Sequence, residues 1–271
     1  MKIKLIVVLM TILVLASACN RGSGNQAESS APYTIEVGGS TSVTPLMELF
    51  AAEYANVKPN IKVNINGTGS GDGITNAGIT YQIGMSSRDL TPAEQGRGLK
   101  ADAVAIDGIA VIVNNNNSVS NLTIEQIRDI YTGAITNWSQ VGGSSAPIAV
   151  ISREAGSGTR GAFEEIIGFQ GRLLAGANES TSTGAIKAGI AQNPNAIGYI
   201  SLGSVDDLAK AISVGGVAPL STNVLNGSYR VARPFIVLTG NNIHPESAAF
   251  INWMFCPAGQ AIVSRSWIPV R

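Results

Sequence analysis

Three times in this chain a short run of glycine and hydroxyl residues falls between an apolar strand pattern and a helical one. The runs are Gly38-Gly39-Ser40-Thr41-Ser42, Gly67-Thr68-Gly69-Ser70-Gly71-Asp72-Gly73 and Gly156-Ser157-Gly158-Thr159. Junctions of this kind commit the flanking chain to strand, loop, helix units, and repeated units of that kind pack as a mostly parallel sheet covered by helices. The fold class expected is therefore α/β. Tyr33 to Val37 and Ile61 to Ile65 alternate apolar with polar residues, the period of a strand with one buried face. Between them Leu46, Leu49, Phe50 and Tyr54 fall on one helical face, with Pro45 in the first turn, where a missing amide costs no helical bond.

The pattern continues with strands at Ile83 to Ser86, Val104 to Ile106 and Ile109 to Val113. Asn114 to Asn117 break it, and Thr123 then caps a helix carrying Ile124, Ile127 and Ile130. A second lobe is expected to begin there. It holds a strand at Ile148 to Ile151, helices after Thr159 and Thr183, and a strand at Ile197 to Ile200. Tyr229 to Leu238 reads as a strand, and the terminal helices around Ala248 to Phe255 and Ala258 to Val263 must return to the first lobe to bury their apolar faces. The expected division is 33–113 with 234–271 as one lobe and 114–233 as the other. The two crossings then form a hinge.

The chemistry lies in the loops. Helix N-termini leave amides unpaired and carry partial positive charge, glycine lets the backbone close on an anion, and Ser or Thr adds hydroxyl donors. One such loop is ordinarily a capped turn; three together with a well-placed arginine suit a tetrahedral oxyanion. That arginine is Arg153, at the end of the strand Ile148 to Ile151 and four residues before Ser157. Its competing reading is a salt bridge with Glu154. Arg160 and Arg88 are open to the same alternative, Arg88 with Asp89 as its partner, and Asp72 reads as a turn former or as an acceptor near the ligand.

The segment Ser152-Arg153-Glu154-Ala155-Gly156-Ser157-Gly158-Thr159-Arg160 resembles the signature of the phosphate-binding proteins of ABC uptake systems. Gly39-Ser40-Thr41-Ser42, Gly69-Ser70-Gly71, Ile83-Gly84-Met85-Ser86-Ser87-Arg88, Ile135-Thr136-Asn137-Trp138 and Ala196-Ile197-Gly198-Tyr199 follow in that family's order. The resemblance implies a two-lobed, periplasmic-binding-protein (type II, Venus-flytrap) fold, with a mixed sheet in each lobe and two connecting hinge strands. It also implies that inorganic phosphate is held without metal or cofactor and delivered to an ABC transporter permease. Carried over by motif, Thr41, Ser42 and Ser70 bind from the first lobe and Arg153, Ser157, Gly158 and Thr159 from the second, with Ser40 and Ser87 as further candidates. Ser87 stands where many family members have an Asp that accepts a phosphate proton and repels sulfate, so sulfate, molybdate or tungstate is the alternative ligand. Ala155 stands where an acidic partner of the arginine can occur, which leaves Glu154 or another group to orient Arg153.

The N-terminus fits an exported protein. Lys2 and Lys4 precede an apolar run from Leu5 to Leu15, and Ala16-Ser17-Ala18 leads directly into Cys19. The run is shorter than the ~20 residues that span a bilayer. It is expected to be a lipoprotein signal peptide (1–18) that leaves Cys19 acylated, a flexible tether over 19–32, and the protein held at the outer face of the cell membrane. Only two cysteines occur, so acylation of Cys19 leaves Cys256 without a disulfide partner. Lys and Arg balance Asp and Glu at 18 each with no basic stripe, which argues against nucleic acid as a partner; a monomer is expected. A phosphate-ester hydrolase is the rival from another class. The one histidine, His244, precedes a proline far from the loops and reads as a surface or capping residue, so no enzyme activity is expected. Trp138, Trp253 and Trp267 read as packing residues.

Overall fold

The computed structural model describes residues 31–270; the expected signal peptide, Cys19 and most of the tether lie outside the described residues. In chain order the first elements are β1 (Tyr33–Gly39), α1 (Thr44–Val57), β2 (Ile61–Gly67), α2 (Ser70–Asn76), β3 (Ile83–Ser86), α3 (Pro92–Gln95) and β4 (Lys100–Val113). They are followed by β5 (Asn121–Leu122), α4 (Ile124–Thr132), β6 (Ala149–Arg153), α5 (Gly158–Ile167), β7 (Asn178–Ser180), α6 (Thr183–Gln192) and β8 (Ala196–Ser201). The last are β9 (Lys210–Ala211), β10 (Ser213–Val214), α7 (Ser221–Leu225), β11 (Ala232–Thr239), α8 (Pro245–Met254), α9 (Pro257–Val263) and β12 (Ile268–Pro269).

The strands join in the order β2-β1-β3-β11-β4-β8-β6-β7. β1 lies parallel to β2 and β3, and β6 parallel to β7 and β8, as strand, loop, helix units require. The antiparallel partners β11 and β4 run between these two groups. Two hydrophobic clusters flank them. One gathers Leu46, Phe50 and Tyr54 of α1 with Val104, Phe235, Phe250, Trp253 and Val263. The other gathers Ile109, Val111, Ile127, Ile130, Tyr131, Trp138, Phe163 and Tyr199. Burying each such side chain contributes roughly 1.5–3 kcal/mol, which is why α8 and α9 fold back on α1 as the sequence requires.

Two strand expectations change. Val104 to Ile106 and Ile109 to Val113 belong to one strand, because Asp107 and Gly108 keep their pairing with Arg233 and Ala232. β11 starts at Ala232 rather than Tyr229; Tyr229 is still buried, and its hydroxyl donates to the Ile109 carbonyl at 2.9 Å. Local signals held elsewhere. Thr123 and Gln126 form the capping box that starts α4, and His244 caps α8 by accepting the Glu246 N–H at its Nδ1. All three tryptophans are packed into the interior.

Candidate functional site

The N-terminal ends of α1, α2, α5 and α6 meet between the two groups of strands. Ser42, ahead of α1, lies 2.8 Å from the Thr159 hydroxyl of α5 and 3.2 Å from that of Thr183 in α6. Thr41 lies 3.3 Å from the same Thr183 hydroxyl. Ser40 donates to Ser87 at 2.9 Å, and Ser70 contacts Ser87 at 3.3 Å while accepting its N–H at 3.1 Å. Ser40, Ser42, Ser70, Ser87, Ser157 and Thr159 are all buried. A hydroxyl donates one proton and accepts twice, so this cluster can re-aim its donors toward whatever anion sits among them. The first-turn amides of α5 and α6 add donors that have no helical acceptor, together with the positive end of each dipole.

Backbone shape makes the approach possible at two glycines. Gly39 takes φ +133°, and a Cβ there would stand 2.3 Å from the Met85 carbonyl oxygen. A Cβ on Gly158 would stand 2.3 Å from Ser70 Oγ and 2.9 Å from Ser87 Oγ, so only glycine lets the α5 loop lie against the first-lobe hydroxyls. The Gly71 N–H also donates to the Gly156 carbonyl at 3.0 Å, closing one glycine loop upon the other.

Arg153 ends β6 with its side chain 2 % exposed. Its Nε and Nη2 each donate to a Glu154 carboxylate oxygen at 2.8 Å, and the Ser180 and Thr181 carbonyls accept further bonds from it. The salt bridge with Glu154 is therefore real, and Glu154 is the group that orients the arginine. It grips one side of the guanidinium, which leaves Nη1 as the outward edge of the fork. Beneath it Tyr199 accepts the Arg153 N–H at 3.2 Å and contacts Ser152 Oγ at 2.8 Å. Burial pushes the Tyr199 phenol up to about 12 despite those bonds, so it stays a neutral support.

Other charged candidates are engaged elsewhere. Arg160 donates to Glu164 and to the Arg153 carbonyl and pairs with Glu179; burial works against its charge, but the carboxylates outweigh it and raise its pKa. Arg88 forms a two-pronged bridge to Glu94 instead of pairing with the Asp89 side chain. Asp72 accepts from Thr68, Asn76 and Tyr81, the work of a turn former. Ser157 uses its hydroxyl oxygen to cap α5 by accepting the Arg160 N–H. Among the described residues no group of three His, Cys, Asp or Glu side chains could hold a metal ion. Thr183 joins this hydroxyl cluster from outside the three glycine loops. The signal was present, since Ser180-Thr181-Ser182-Thr183 is a fourth hydroxyl run before a helix, but it lacks the glycines that mark the other three.

Two α/β lobes joined by paired strands, with helix N-termini and hydroxyls meeting between them, define a solute-binding protein of the hinge-closing kind. The chain belongs to the PBP superfamily, whose domain model matches residues 24–258. A substrate-binding protein from Clostridium perfringens, solved with bound phosphate, is 46% identical with a TM-score of 0.86, over 88% of this chain and 100% of its own. An ABC-type phosphate transport receptor from Vibrio cholerae is 36% identical with a TM-score of 0.72, over the same 88% of this chain and 100% of its own. The phosphate-binding protein PstS of Borreliella burgdorferi is 29% identical over 94% of this chain and 95% of its own length.

Proposed function

We propose that this protein captures inorganic phosphate between its lobes outside the cytoplasm and delivers it to the membrane permease of an ABC transporter. The observation that carries this reading is the set of buried hydroxyls from both lobes, in mutual contact beside an arginine held by a single carboxylate. Thr41, Ser42, Ser70 and Ser87 face Gly158, Thr159 and Thr183 there, with Arg153 supplying the fixed positive charge and Ser157 shaping the α5 turn. Ser40 reaches the anion through Ser87. Only the closed arrangement brings donors of both lobes to one ligand, so binding drives closure. The moving bodies are 33–113 with 234–271 and 114–233.

Cys19 carries the lipid anchor in this reading, and the protein acts as a monomer. Cys256 is disulfide-bonded in the structure, which differs from the expectation that acylation leaves it without a partner. Intact mass of the membrane-extracted protein tests the anchor: a diacylglyceryl increment supports it, and an unmodified chain removes it.

The ligand is tested by calorimetric titration of the anion-free protein with phosphate, sulfate and molybdate at two pH values. Tight binding of phosphate alone is expected. Ser87 brings a hydroxyl instead of a carboxylate to the cluster, so preferential binding of sulfate or molybdate would overturn the phosphate assignment while keeping the fold.

A further inference from the structure

Away from the anion site, the two strands that pass between the lobes meet at a buried ion pair. Asp107 of β4 and Arg233 of β11 are direct register partners. Arg233 Nη2 and Nε donate to Asp107 Oδ2 at 3.1 and 3.3 Å, with the side chains 1 % and 0 % exposed. The other carboxylate oxygen accepts Ser201 Oγ at 2.8 Å, and the Gly203 N–H adds a donor. Ser201 ends β8, on the second-lobe side, so this one carboxylate is tied to both crossing strands and to the second lobe.

The position between the cores is sharp. Val104 and Ala105 belong to the first cluster and Ile109 and Val111 to the second. On β11, Ala232 packs against the second cluster and Phe235 belongs to the first. The pair lies between them. Its surroundings are stiff on the first-lobe side. Pro234 fixes its own φ and restricts Arg233 to extended backbone, the Arg233 guanidinium lies 5.4 Å from the Phe235 ring centroid, and β12 pairs with β4 at Ile106 and Ala105. On the second-lobe side stand Gly108 and Ala232, paired with each other and small enough to change dihedral angles. Arg233 Nη1 is buried with no protein partner, so the cation depends on Asp107 for its compensation. Pulling such a pair apart during each opening would leave two uncompensated buried charges.

We propose that the Asp107–Arg233 pair, held by Ser201, is the fixed pivot of lobe closure, and that the dihedral change is taken up beside it at Gly108 and Ala232. The pair positions the hydroxyls of one lobe against the amides of the other without touching the anion. This rests on the reading of the protein as a closing phosphate receptor.

The test uses the full chain in detergent micelles, as wild type and as the double variant Asp107→Leu/Arg233→Met. Apolar replacement of both partners preserves folding where a single substitution strands a charge. Inorganic phosphate affinity, stopped-flow release and small-angle scattering with and without phosphate are measured. The expected result is a cooperatively folded variant whose affinity falls about tenfold, chiefly through faster release, since a looser hinge populates fewer closed conformers. Its ligand-free scattering shows a broader, more open distribution of lobe separations than wild type. A folded variant that matches wild type in ligand-free scattering overturns the pivot, whatever the ligand. Wild type that ignores phosphate sinks the ligand assignment instead, and the ligand-free comparison still decides the pivot.

Discussion

Arg153 and Arg233 are both almost fully buried, yet each meets the cost of burial in a different way. Arg153 pairs with its own sequence neighbour, Glu154, a carboxylate that is 27 % exposed and holds only one side of the guanidinium. Arg233 pairs across two strands with Asp107, a carboxylate sealed from solvent and tied to a second lobe. The first arrangement orients an arginine through a carboxylate that is itself in reach of solvent. The second spends the charge on holding the fold. Both guanidiniums bind through Nε and Nη2 and leave Nη1 over, so what separates the two arginines is that the carboxylate partner of one reaches solvent while that of the other is sealed in with it.

Substituting each arginine by Met is the strongest way to break that comparison. Arg153→Met should lower phosphate affinity about a thousandfold, because two hydrogen bonds to a charged group at roughly 1.5–3 kcal/mol each are lost. Urea denaturation should show little change, since Glu154 turns to solvent. Arg233→Met should do the reverse, losing about 3–5 kcal/mol of stability by stranding Asp107, with a much smaller change in the affinity of the molecules that remain folded. Equal stability losses in the two variants would erase the distinction.

A smaller effect separates the hydroxyls that hold the ligand from those that only pack. Thr183→Val keeps the shape of the side chain and removes the oxygen that faces Thr41 and Ser42. One hydrogen bond at roughly 1–1.5 kcal/mol predicts a five- to tenfold weaker phosphate affinity by calorimetry, largely restored in Thr183→Ser. Unchanged affinity in Thr183→Val would confine Thr183 to interlobe packing.

What was legible in the sequence divides along the same line. The fold class, the three glycine loops and Arg153 are local signals, each carried by residues adjacent in the chain, and the loops do converge where their hydroxyls touch. Glu154 as the orienting carboxylate was legible for the same reason. The pair Asp107–Arg233 was not, because its partners are 126 residues apart and nothing near either one marks it as more than a surface charge. The pairing also hid a strand: Asp107 interrupts the apolar pattern of β4 because its charge is compensated from β11, not because the strand ends. Arg88 shows the limit in the other direction, since the adjacent Asp89 suggested a partner and the capping box that places Glu94 supplied a better one.

The finest distinction is whether burial or the arginine controls Asp107. Burial, opposed by Arg233, Ser201 and the Gly203 N–H, pushes its carboxyl up to about 6 from an ordinary 3.8. A folded-state value above the unfolded one means the native protein holds this proton more tightly. Its contribution to stability is then fully present below about pH 4 and is lost as pH rises through about 6. Arg153, Tyr199 and Tyr229 also face this pair electrostatically, and the two phenols, pushed up by burial, stay neutral across that window. Glu94 supplies the opposite sign: its hydrogen bond to Arg88 holds it down at about 2, so its contribution is present above about 4.5 and lost on acidification. Measuring unfolding free energy from pH 3 to pH 8 for wild type and Asp107→Asn, and subtracting, removes Glu94 and every other shared group. The difference should fall between pH 4 and pH 6 and then level off. A difference that instead rises with pH up to about 4 and stays flat would show that Arg233 outweighs burial, and that the hinge pair strengthens the fold at neutral pH as well as shaping its motion.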